Sequence, residues 1–149
     1  MGHEHAISFD EIGQGSRLFV GNLAAAKAAD HLGWGAVICC APDHYVACGR
    51  TPTMVFDVVR LESSPEGSVL LKELLSFASE HLNSGRGIMM HCLAGRHRAA
   101  SSMAILLLIS SKMPAWEAIR CVERHRMEAN IYGKLRRAVN SVAELSRPL

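Results

Sequence analysis

Through the middle of the chain the apolar positions alternate between short dense runs and longer stretches in which every third or fourth residue is apolar. These are the signatures of buried strands and of one-sided helices. "SRLFVGN" (16–22) and "GAVICC" (35–40) are compact, rich in β-forming residues, and predict strands, the first ending at a turn. "MVFDVVRL" (54–61) and "GIMMH" (87–91) predict two more. "LAAAKAADHLG" (23–33) predicts a short helix that Asn22 caps and Gly33 stops. "APDHYVACGRTPT" (41–53) predicts a loop from its Pro, Asp and Gly content. A long helix follows, with Ser64 as cap, Pro65 at its first position and Glu66 in its first turn. Leu70, Leu74 and Ala78 share one face of it, Leu71, Leu75 and Leu82 lie beside them, and Gly85 and Gly87 end it. Three more helices are predicted: from Arg98 to about Lys112, from Pro114 through "PAWEAIRCVERHRM", and over roughly 131–145.

Strands alternating with helices predict an α/β architecture, a central, mostly parallel sheet flanked by helices. Its ligand site is expected where strands lead into helices at the carboxyl edge of the sheet. At 149 residues the expectation is one domain over 1–149. The net charge of +2 gives no reason to expect nucleic acid or a membrane surface as partner. Arg96, Arg98, Arg124, Arg126, Arg136 and Arg137 nevertheless gather in the last third, with His97 and His125 among them. That cluster fits an anionic ligand or a solvated helix face equally well. Five cysteines, an odd number with no CxxC spacing, argue against a disulfide framework and a structural zinc site. They fit a reducing compartment, so the expected location is the cytoplasm or nucleus. No segment predicts a membrane anchor.

The chemistry concentrates in "MMHCLAGRHRAASS" (89–102), which joins a strand to a helix. The N-terminus of a helix carries partial positive charge and unpaired N–H groups. Successive amides in a tight loop form an anion-binding nest. Gly95 permits backbone angles other residues resist, and the side chains of Leu93 and Ala94 do not compete for an anion. Arg98 adds a planar fork that grips two oxygens of a phosphate. Cys92 lies at the base of this cup. A cysteine so placed is expected to be largely thiolate, since such surroundings lower a thiol's pKa to about 3.5–7.5. The expected chemistry is phosphoester hydrolysis through a phosphocysteine intermediate, with no metal or cofactor.

"HCLAGRHR" matches HCxxGxxR, and the chain resembles the cysteine-dependent protein tyrosine phosphatase superfamily, in particular its small dual-specificity branch. "SRLFVGNLAAAKAADHLGWGAVICCAPD" is similar to the opening segment of that branch, and the likeness covers nearly the whole chain. The resemblance implies Cys92 as nucleophile and Arg98 as phosphate ligand. It implies a cradle built by Leu93, Ala94, Gly95, Arg96, His97 and Arg98. The implied partner is a phosphoprotein substrate, and a monomer is expected. The family pattern favours a loop-ordering hydrogen bond from His91 over a merely buried histidine.

Three positions depart from the family. Ala99 stands where many members carry a hydroxyl that helps the cysteine leave. The phosphatases of regenerating liver also resemble this chain in that alanine and are slow, which implies slow turnover. The family draws its general acid from an aspartate about thirty residues before the cysteine, where this chain has Glu62 and Ser63. Glu62 is the expected acid, with loss of the acid as the alternative; Asp57 is expected to lie within a strand. Arg96 and His97 replace the small residues usual beside the arginine. Either they serve a multiply charged substrate such as a phosphoinositide, or both face water. A catalytically weak phosphate-binding scaffold is a further possibility. Some relatives form a reversible disulfide with the nucleophile, for which Cys39 and Cys40 are the candidates here. Cys48, Cys121, Trp34 and Trp116 are expected to be packing residues.

Overall fold

The computed structural model describes residues 6–63 and 65–145, with the backbone alone at Glu62 and Ser63. Five strands form one sheet: β1 (Phe9–Glu11), β2 (Leu18–Gly21), β3 (Ala36–Cys39), β4 (Thr53–Val55) and β5 (Ile88–His91). Their order is β1-β2-β5-β3-β4. Every neighbouring pair is parallel except β1 with β2. Among the described residues seven α-helices accompany them: α1 (Leu23–Lys27), α2 (Ala29–Leu32), α3 (Arg60–Ser63), α4 (Gly67–Leu82), α5 (Arg98–Ser111), α6 (Ala115–His125) and α7 (Gly133–Leu145). The predicted α/β class and mostly parallel sheet are what the chain adopts.

The two-residue period of the strands sorts their side chains between two layers. Leu18, Val20, Ala36, Ile38, Cys40, Ile88, Met90 and Cys92 join the larger core, which also takes in Leu74, Met103, Ile105, Ile119 and Val139 of the long helices. Val37 and Met89 point the other way, into a smaller cluster with Ala25, Ala29 and Trp34. α5 is apolar nearly all round and buried along most of its length, as a central helix must be. Among the described residues no helix is long and apolar enough to cross a membrane.

Several boundaries differ from the sequence expectation. β1 was not anticipated, because Asp10 and Glu11 give it no apolar alternation, yet it pairs with β2 from Phe9↔Gly21 to Glu11↔Phe19. The strand expected over 54–61 stops at Val55. There the Asp57 carboxylate accepts the Val59 N–H (3.2 Å) and the Asp57 carbonyl accepts the Arg60 N–H (3.1 Å), so the chain turns into α3. Asp57 therefore lies outside the strand in which it was expected. The helix over 23–33 is capped as predicted, Asn22 accepting from Ala25 N–H and Gly33 adopting φ 78°, but it is interrupted at Ala28. The last helix starts at Gly133 rather than near 131. The Ser64 cap lies outside the described residues. Trp34 is buried with its indole N–H donating to Ala25 (3.3 Å), whereas Trp116 is 62% exposed and is not a packing residue.

Candidate active site

The register aligns the carboxyl ends of three adjacent parallel strands, since His91 pairs with Gly21 on one side and Cys39 on the other. Each strand is followed at that edge by a loop or turn: Asn22 before α1, residues 92–97 before α5, and a 3₁₀ turn at Pro42–His44. The loop after β5 is thus surrounded by backbone, and its shape follows from where its carbonyls go. The Leu93 carbonyl accepts from Leu23 N–H (3.0 Å), and that of Arg96 accepts from Asn130 N–H (2.8 Å). The carbonyls of Ala94 and Gly95 accept from the Arg126 guanidinium at 3.0 and 2.9 Å. Four consecutive carbonyls are held outward, which turns the opposing amides toward the inside of the loop. Among the described residues the amides of Leu93 to His97 have no hydrogen-bond partner. Gly95 makes the turn with φ +71°, and its Cα lies so close to β2 that an added Cβ would stand 2.6 Å from the Gly21 carbonyl oxygen.

Arg126 was grouped in the sequence with a ligand-binding or solvated cluster, and the structure places it in neither. It is fully buried. Besides the two loop carbonyls it contacts Asp10 (2.9 Å), Ser8 (3.2 Å) and Glu128 (3.4 Å). A buried guanidinium needs every N–H satisfied, and here loop carbonyls and the β1 region supply the partners. The sequence held one signal of this: Ala118 and Val122 lie on the buried stripe of α6, and Arg126 continues it at the same spacing.

Cys92 is 5% exposed at the base of the loop. Of the two cysteines ending β3, Cys40 shares the larger core with Cys92, and its thiol is pushed up by full burial. Cys39 faces the opposite layer, donates to the Ala41 carbonyl (3.2 Å), and is raised chiefly by burial. Cys40 is accordingly the one on the same side of the sheet as Cys92. His91 is fully buried, and its Nδ1 lies 3.2 Å from the Cys92 carbonyl. A carbonyl only accepts, so Nδ1 carries the proton and donates, which holds the entry to the loop. Burial lowers the His91 pKa, and Nε2 has no partner among the described residues.

Arg98 begins α5 at the mouth of the loop. Its Nη1 donates to Asp43 Oδ1 at 2.7 Å, a contact absent from the sequence reading because Asp43 comes from the 3₁₀ turn after β3. That bond holds the Asp43 carboxyl below its usual range, so Asp43 is ionised and unsuited to donate a proton to a leaving group. Asp57 is half-buried at the turn from β4 into α3, where its carboxylate accepts the Val59 N–H. Glu62 has its backbone in α3, but its carboxylate lies outside the described residues. Arg96 is exposed. His97 does not simply face water: Nδ1 lies 2.9 Å from the Asn130 carbonyl, and its ring meets Tyr132 edge-on with centroids 5.4 Å apart. Ala99 is buried at the start of α5, and the nearby hydroxyls of Ser101 and Ser102 donate to the carbonyls of His97 (2.6 Å) and Arg98 (2.7 Å).

No family model and no curated protein matches the sequence. Solved structures do, and they define the fold as that of the small dual-specificity type of protein tyrosine phosphatase. Human DUSP28 aligns over 92% of this chain and 93% of its own, with a TM-score of 0.75 at 14% identity. PTPMT1 in complex with PI(5)P aligns over 92% and 95%, with a TM-score of 0.69 at 16% identity. The human tyrosine phosphatase-like serine/threonine/tyrosine-interacting protein aligns over 92% and 96%, with a TM-score of 0.70 at 16% identity. The likeness confirms the fold that the sequence resemblance implied.

Proposed function

We propose that this chain hydrolyses phosphoesters, with phosphotyrosine and phosphoserine or phosphothreonine in proteins as substrates, through a phosphocysteine intermediate. The observation carrying the proposal is the row of unpartnered amides from Leu93 to His97, bounded by Cys92 at its base and Arg98 at its mouth. In the first step the Cys92 thiolate attacks phosphorus. The S–P bond forms, the ester P–O bond breaks, and the departing oxygen takes a proton from a carboxylic acid. Water then attacks phosphorus and gives a proton to the same carboxylate. The S–P bond breaks, returning the thiolate and inorganic phosphate. Inward amides and Arg98 stabilise the equatorial oxygens in both steps.

Glu62 is the proposed acid by its distance from Cys92 in the chain. Asp57 is the second candidate, because it lies outside β4 at the turn into α3. A positioned acid contributes roughly 10²–10⁴-fold. The test is hydrolysis of a small aryl phosphate across pH by wild type, Cys92→Ser, Glu62→Gln and Asp57→Asn. Loss of turnover in Cys92→Ser is expected, together with loss of the basic limb of the profile in one carboxylate variant. Turnover that survives Cys92→Ser rejects the mechanism.

A slow or non-hydrolysing phosphate-binding scaffold is the second reading, favoured by Ala99, around which the nearby serine hydroxyls are already committed. Ala99→Ser is expected to speed breakdown of the intermediate, measured as steady-state turnover against the initial burst; an unchanged rate argues against a missing hydroxyl as the cause. Exposed Arg96 supports a phosphoinositide as an alternative substrate, to be compared directly with phosphopeptides.

A further inference from the structure

The carboxylate of Asp43 touches the phosphate-gripping arginine, although nothing in the reaction above uses it. The turn that carries it is firmly built. Cys40 N–H donates to the His91 carbonyl at 2.7 Å, and the Ala41 carbonyl accepts His44 N–H at 2.8 Å. Pro42 fixes the first backbone angle of the 3₁₀ turn. One Asp43 oxygen receives Arg98 Nη1 at 2.7 Å, and the other lies 3.3 Å from His44 Nε2. The contact takes one terminal nitrogen of Arg98. Among the described residues Nε and Nη2 have no partner, and these form the side edge of the guanidinium, one of the two edges that can hold a pair of oxygens. A competitor for the phosphate would occupy that edge; Asp43 holds the fork by its remaining nitrogen.

We propose that Asp43 is a positioning residue that presets the Arg98 fork, so that its Nε/Nη2 edge meets a tetrahedral oxyanion seated on the loop amides. The proposal rests on the reading above that the loop binds such an anion. A free arginine side chain samples many rotamers, and fixing it on binding subtracts from affinity. Asp43 removes part of that loss before the anion arrives. Because the carboxylate is 61% exposed, its effect is bounded by what exposed charge pairs contribute, at most about fivefold in affinity.

The test is calorimetric titration of tungstate into wild type, Asp43→Asn and Asp43→Glu, with the thermal midpoint of each anion-free protein recorded alongside. Asp43→Asn is expected to weaken binding about two- to fivefold with little change in midpoint, and Asp43→Glu, which keeps the charge, to recover part of the loss. A purely structural role would move the midpoint and would not be rescued by charge. Unchanged binding in Asp43→Asn makes the contact a bystander, tighter binding makes it a competitor, and absence of recovery in Asp43→Glu assigns the effect to the turn; each overturns the proposal. Wild type that binds tungstate without hydrolysing aryl phosphate defeats the hydrolase reading alone, and the same titration still decides Asp43. Wild type that binds no tungstate defeats both.

Discussion

Two residues near Cys92 make separate demands on their surroundings. His91 must stay uncharged, because burial lowers its pKa from an ordinary 6.5. As pH falls through that ordinary value the unfolded chain takes up a proton that the folded chain refuses, so stability present above it is progressively lost below it. The thermal midpoint is expected to fall between pH 7.5 and pH 5.5, and to fall less in His91→Asn, whose amide can keep the bond to the Cys92 carbonyl while carrying no titratable group. Equal pH dependence in the two proteins removes His91 from the account. Gly95 must lack a side chain. Gly95→Ala places a Cβ 2.6 Å from Gly21 O and 3.0 Å from Arg126 Nη2, at φ +71°. It is expected to abolish tungstate binding and lower stability by more than about 2 kcal/mol in urea unfolding. Gly15→Ala, at φ +77° with nothing within 4 Å, is expected to cost only the backbone penalty of about 1–2 kcal/mol and leave binding intact.

At the scale of elements, what could be read from sequence was what lies close together along the chain. Cys92, the cradle and Arg98 occupy seven consecutive positions between a strand and a helix, so spacing alone exposes them. Asp43 and Arg126 arrive from beyond the ends of β3 and α6, and only the tertiary fold brings them to Arg98 and the loop. β1 escaped notice because three half-polar residues carry no period, yet its Asp10 helps hold Arg126. The expected strand over 54–61 failed because Asp57 satisfies a backbone N–H two residues on, a local alternative to the ladder. α6 therefore has two tasks, packing its apolar stripe and delivering Arg126 at its end. Arg126→Met keeps the bulk and strands two loop carbonyls, each at a cost of about 1–3 kcal/mol. It is expected to lose both urea stability and tungstate affinity, whereas Arg124→Met, at an exposed neighbour, is expected to change neither.

For the whole molecule, the parallel strands all open toward one edge, and the helices that follow them place their N-termini there. A modest net charge of +2 leaves little long-range field, so the proposed anion binding rests on local amides and Arg98 rather than on general attraction. Cys92 shares the larger core with Cys40, Ala99, Ala100 and Met103, and under the proposed function that core is what holds the sulfur beneath the loop. The central claim is that this sulfur carries the phosphoryl group. Rapid acid quenching of the wild-type protein during turnover of an aryl phosphate, followed by peptide mass spectrometry, is expected to find phosphate on Cys92 and on no other residue. Turnover with an unmodified Cys92 peptide, at quench times that resolve the burst, or phosphate found on a different side chain, would contradict it.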